Sequence, residues 1–149
     1  MVNFTANTFL DYKALIIPAS VWLIAQTLKL IINLVWERKL DFSLLLTMGG
    51  MPSAHSATVC SLAVTIGKVG GFDSLVFALS ALFAIIVMYD AAGVRQTVGN
   101  QSIMLNRVLD ELFKGNPQFE ERLRELIGHS HLEIGIGAII GIVLAWWWA

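Results

Sequence analysis

Charged side chains are scarce in this chain. Asp, Glu, Lys and Arg together make up 14% of 149 residues, where a soluble domain carries about one quarter. With 56% hydrophobic residues and a mean hydropathy of +0.71, that scarcity excludes an ordinary water-soluble or peripheral protein and points to an integral membrane protein. The net charge of −1 offers no bulk field to nucleic acid. A single cysteine, Cys60, excludes an intrachain disulfide, and no Cys/His spacing suits zinc; set in an apolar run, Cys60 reads as a packing residue. There is no internal repeat and no low-complexity linker. No series of acidic residues runs through the apolar segments, which leaves an ion-coupled transporter little to work with. The first apolar stretch lacks a basic leader and ends in Glu37-Arg38-Lys39 instead of small residues, so it reads as a membrane helix and not as a signal peptide.

What is present is a set of four apolar segments, each near the ~20 residues that cross a ~30 Å hydrocarbon core. They run from about Ala14 to Trp36, Pro52 to Val69, Phe72 to Tyr89 and Leu132 to Trp148. A tight hairpin is expected over Lys68–Asp73, between the second and third. Trp36 and Trp146–Trp148 read as interfacial belt residues. The only extended polar region, Asp90 to His131, carries apolar residues at helical spacing (Ile103, Leu105, Val108, Leu109, Leu112, then Phe119, Leu123, Leu126). It predicts one or two amphipathic helices at the interface or against the bundle. The expected fold is an all-α membrane protein forming one integral domain over residues 1–149. It has four transmembrane helices and a cytoplasmic amphipathic segment between the third and fourth.

Basic residues set the orientation. Arg38 and Lys39 follow the first segment, and Arg95, Arg107, Lys114, Arg122 and Arg124 follow the third, while the opposite side has only Lys13 and Lys68. The positive-inside rule therefore places both termini outside and both polar connections inside. Segments two and four then begin on the same, cytoplasmic side, at Met51-Pro52-Ser53-Ala54-His55-Ser56 and Gly128-His129-Ser130-His131-Leu132-Glu133. Helix starts hold anions through free N–H groups and the positive dipole end; Pro52 suits a first turn, and Ser53 suits a cap or a ligand contact. Gln26 and Lys29 approach the same side from segment one. Two helix starts bearing His, with a lysine from a third helix, describe a phosphate-binding pocket at a membrane surface.

These residues resemble a known group. Pro52-Ser53-Ala54-His55 is similar to the Pro-Ser-Gly-His motif of the type 2 phosphatidic acid phosphatase superfamily, which includes acid phosphatases and the vanadium haloperoxidases. His129 followed by Glu133 and then Gly137 and Gly141 is similar to its third motif, a His with an Asp four residues on. Together with Gly49–Ser53, Tyr89–Arg95 and Leu126–His129, the blocks resemble the divergent bacterial and plant branch, from about Gln26 to Gly141. Trp36 stands where the first motif has Arg, with Arg38 a candidate substitute, and Leu123 stands where the third has Arg.

The resemblance implies phosphoryl transfer through a phosphohistidine, with no metal and no cofactor. His129 would be the nucleophile, Glu133 would hold its far ring nitrogen, and His55 would protonate the leaving alkoxide. Lys29, Ser53 and an arginine would bind phosphate. Arg95, with Asp90 orienting it, is one candidate for that arginine; a purely structural Asp90–Arg95 pairing is the other reading. Lys29 could instead snorkel to head groups, Gln26 could serve only as an interhelix hydrogen bond, and Ser56 and Thr58 could bond the helix backbone. The function expected is hydrolysis of a phosphomonoester or pyrophosphate of a lipid, in a bacterial cell membrane, at the cytoplasmic face. The alternative is an inactive phospholipid-binding or membrane-assembly protein that keeps the fold. The expected partners are a lipid phosphate and the bilayer, not nucleic acid; a homo-oligomer is allowed. A reporter fused after Ala149 is expected to be active only outside the cytoplasm; activity only inside would invert the orientation.

Overall fold

The computed structural model describes residues 8–38, 50–112 and 131–149. They form five helices: α1 (Thr8–Glu37), α2 (Ala54–Gly70), α3 (Leu75–Ala92), α4 (Val94–Leu112) and α5 (His131–Trp148). Among the described residues, three helical stretches are long and apolar enough to cross a membrane: Tyr12–Trp36, Leu75–Ala92 and His131–Trp148. The fourth expected span, α2, has 17 residues and falls outside that set. Its surface is also unlike that of the other three. Where α3 turns Leu79, Leu82, Phe83 and Ile86 outward, α2 is buried on most sides by small residues.

Helix α2 is the centre of the bundle and packs against α1, α3 and α5. It is built from Ala, Ser, Thr and Gly because its neighbours come close. Its hydroxyls are satisfied within the helix: Thr58 donates to the Ala54 carbonyl (2.7 Å), Ser61 to Thr58 (2.8 Å) and Thr65 to Ser61 (2.7 Å). Side chains that would be costly in an apolar interior are thereby closed on themselves, as the backbone-bonded reading of Thr58 anticipates. Cys60 is buried with its Sγ 3.7 Å from Met88 Sδ on α3, a packing contact.

The tightest packing is between α2 and α5. A Cβ added at Gly137 would overlap the Ser53 carbonyl, and one added at Gly141 would overlap the Ala57 carbonyl. These two glycines, four residues apart, and Ala145, fully buried one turn on, make a small-residue seam that lets the backbones touch. The α1 face is a stripe at every fourth residue, Ile17, Val21 and Ala25, which packs with Ala54, Ala57 and Ala145 in one core.

Connections explain the polarity of the bundle. Gly71 (φ +93°) ends α2, and the Ser74 hydroxyl caps α3 by accepting from the Phe77 N–H (3.2 Å), forming the expected hairpin. Helix α3 continues past Tyr89 through Asp90 to Ala92, so the polar region begins inside a helix. Only Gly93 separates α3 from α4, which packs against α3 alone among the described elements. At the far pole, Lys13 Nζ donates to the Ala149 carbonyl (3.1 Å) and Lys68 Nζ to the Trp146 carbonyl (2.6 Å), with Lys68 also over the Trp146 ring. Both lysines cap the C-terminal end of α5, where the dipole is negative.

Substitution separates contact from composition. Gly141→Ala is expected to destabilise the bundle by about 1–3 kcal/mol, because the methyl meets backbone that cannot rotate away. Gly135→Ala, where an added Cβ meets nothing within 4 Å, is expected to be neutral or stabilising by up to about 1 kcal/mol. Unfolding in mixed detergent micelles followed by circular dichroism measures both; equal effects would mean that the α2–α5 seam is not the limiting contact.

Candidate active site

The starts of α2 and α5 meet at one pole. Ser53 N–H donates to the Glu133 carbonyl (3.1 Å), so the residue that caps α2 is tied to the first turn of α5. The other end of α1 reaches this pole, because α1 runs antiparallel to α5, with Lys13 beside Ala149 at the far end. The sequence expectation that two polar helix starts and the end of segment one share a side is thus realised.

Lys29 continues the inward stripe of α1 four residues after Ala25, and it is only 6% exposed. Gly50, at φ +82°, lies over it: an added Cβ would stand 3.0 Å from Lys29 Cε. The left-handed backbone and the close approach both call for glycine. A pocket of about 270 Å³ opens beside the ammonium, lined by Lys29, Ile32, Asn33, Trp36, Gly50, Met51 and Glu133. The Glu133 carboxylate acts electrostatically on Lys29, which supplies countercharge to a cation held away from water.

The other expected residues take distinct places. Ser53 is fully buried; its hydroxyl accepts from the Ser56 N–H (3.4 Å) and the Ser56 hydroxyl (3.2 Å). It is therefore a helix cap, and the N–H groups of Ser53 and Ser56 are taken by protein acceptors. His55 lies half-buried in the first turn of α2, Gln26 is buried one turn before Lys29, and Asp90 is half-buried near the end of α3. His131, the first residue of α5, is exposed. Arg38 ends α1 in the left-handed conformation (φ +53°) with its side chain exposed. His129, Arg122 and Arg124 lie outside the described residues, as does the side chain of Arg95, whose backbone opens α4. The structure therefore brings together Lys29 and Glu133 in the pocket, with Ser53 held against the same turn of α5.

Asn33 and Trp36 line the pocket without having been singled out for it. Both signals were present in the sequence: Asn33 is four residues beyond Lys29, and Trp36 occupies a motif position of the resembled family.

With this geometry in view, comparison with known proteins is direct. The divergent PAP2 family matches residues 10–144, and the chain belongs to that family. It is also similar to the uncharacterized membrane protein YuiD of Bacillus subtilis (strain 168), with 37% identity over 131 residues, covering 80% of this chain and 83% of that protein. No solved structure matches the chain.

The cap is the testable element of the scaffold. Ser53→Ala removes the acceptor of two buried donors and is expected to cost about 1–3 kcal/mol. Ser74→Ala, the corresponding change at the less buried α3 cap, is expected to cost about 1 kcal/mol or less. Detergent unfolding of the two variants decides it; a Ser53 cost no larger than that of Ser74 would remove the cap from its structural role.

Proposed function

We propose that the chain is a membrane phosphatase acting on a phosphomonoester or pyrophosphate of a lipid. The observation that supports this reading most is the buried Lys29 beside a pocket at the pole where α2 and α5 start together. In this reading His129 attacks phosphorus through a ring nitrogen, the P–O bond to the lipid breaks, and His55 gives its proton to the departing oxygen. Glu133 keeps the attacking imidazole in the right tautomer. Water then attacks the phosphohistidine, with His55, now neutral, taking its proton, and releases inorganic phosphate. Lys29 neutralises phosphoryl charge, with Arg95 oriented by Asp90 as the second cation, because electrostatic stabilisation is most of what a protein offers this reaction. Gln26 stands behind Lys29, and Ser53 holds the turn that carries His55. Helix α2 completes a four-span bundle in a bacterial cell membrane, with the site at the cytoplasmic face.

A second reading has its own support. Trp36, in place of the family's arginine, lines the pocket, and Glu133 offsets the charge of Lys29. Both lower the positive charge available to a transferring phosphoryl group and favour a phospholipid-binding protein without turnover. Phosphate release from a panel of lipid phosphates, without added divalent metal, discriminates. Turnover abolished by His129→Ala and lowered about 10²–10⁴-fold by His55→Ala supports the phosphatase. Unchanged turnover in His129→Ala rules out the phosphohistidine route.

A further inference from the structure

Three pocket residues lie on successive turns of α1. Lys29, Asn33 and Trp36 are spaced by four and then three residues, the spacing that aligns side chains along one face of a helix. Their exposure rises along that face: Lys29 is 6% exposed, Asn33 intermediate and Trp36 79% exposed. The pocket thus grades from a buried ammonium, past an amide, to an indole at its mouth. Among the described lining residues, Ile32 and Met51 are apolar.

We propose that Asn33 and Trp36 select the substrate, and that they select a phosphate ester whose hydrocarbon chain begins at the ester oxygen itself. This rests on the lipid phosphate reading above. Lys29 meets the phosphate, the Asn33 amide donates to a phosphate oxygen, and the first methylenes lie on the Trp36 ring. An arginine at position 36 would present a second cation to the phosphate; the indole presents an apolar face instead. At about 270 Å³ the pocket falls just below the ~300–1,000 Å³ that encloses a whole small ligand. It holds a phosphate and the start of a chain. Among the described lining residues, Ile32, Met51 and Trp36 offer apolar surface to the first methylenes of such a chain.

The test is calorimetric titration of the protein in phosphatidylcholine nanodiscs, in a His129→Ala background so that no probe is consumed. The probes are dodecyl phosphate, lauroyl lysophosphatidate and inorganic phosphate. Trp36→Ala is expected to weaken dodecyl phosphate roughly tenfold, the loss for about two uncovered methylenes, and to leave inorganic phosphate within about twofold. Trp36→Tyr restores most of the loss, as an aromatic ring at the same place. Asn33→Asp, of nearly equal shape, is expected to weaken both of those probes at least about tenfold by placing an anion beside phosphate. Dodecyl phosphate binds several-fold more tightly than lauroyl lysophosphatidate. An unchanged dodecyl phosphate affinity in Trp36→Ala, an equal loss for both probes there, or no binding of dodecyl phosphate overturns the proposal; equal affinity for the two lipids overturns the direct-chain preference. Phosphate release by the unmutated protein is scored separately. If the affinity pattern holds with no hydrolysis, the phosphatase reading fails and the selection stands; hydrolysis without the pattern does the reverse.

Discussion

The contact on which the rest of the structure depends is backbone against backbone: α5 lies on α2 at Gly137 and Gly141, closely enough that any Cβ would strike the Ser53 and Ala57 carbonyls. In lipid, helices gain no hydrophobic drive from meeting each other, so association relies on close packing and interhelical hydrogen bonds. Glycines supply the first, and the Ser53 N–H to Glu133 carbonyl bond supplies the second. The same contact positions the chemistry. Because Gly137 sits on Ser53, the first turn of α5 must stand beside the start of α2, and Glu133, one turn before Gly137, is carried into the pocket with Lys29. Packing and site are therefore one constraint: moving α5 along α2 by a single turn would separate Glu133 from Lys29 by about 5 Å.

The electrostatics of that pole follow from the same placement. A lysine that is nearly fully buried is costly without countercharge. Here it stands at the pole where two helices begin, and the positive ends of two dipoles raise the cost further. Glu133 offsets part of it. The hydrogen bonds of Ser53 and Ser56 occupy two N–H groups at the start of α2. Among the described lining residues, α1 supplies the larger part of the pocket wall, with Lys29, Ile32, Asn33 and Trp36.

Much of this was legible in the sequence, for identifiable reasons. Three spans announced themselves by length and hydropathy, and the hairpin by its glycines and Ser74. The shared pole of α2 and α5 followed from counting basic residues, since sidedness is a property of the whole chain. The core role of α2 was not legible. Its small and hydroxylated residues weaken a hydropathy signal, and only the neighbours that bury it explain why they are there. Asp90 was assigned to a polar connection because a charge reads as the end of a span, whereas Ala91 and Ala92 carry the helix one turn further to Gly93. Ser53 was read as a cap or a ligand contact; the cap follows from Ser56 three residues on, whereas the tie of its N–H to Glu133 is one that no spacing reveals.

Asn33 and Trp36 mark the limit of reading by motif. Matching residues to a family's pattern assigns a meaning to Lys29 and treats Trp36 as a missing arginine. A helix imposes a different logic. Once Lys29 faces inward, the residues four and seven positions on share its face, whatever their type, and must border whatever Lys29 binds. Trp36 is then a feature of the pocket mouth as well as a departure from the pattern. Its exposure is suited to the depth at which aromatic rings favour the membrane interface. The depth of Lys29 and the exposure of Trp36 are thus two ends of one gradient along α1, and a ligand matched to it carries its negative charge and the start of its chain no farther apart than two turns of a helix.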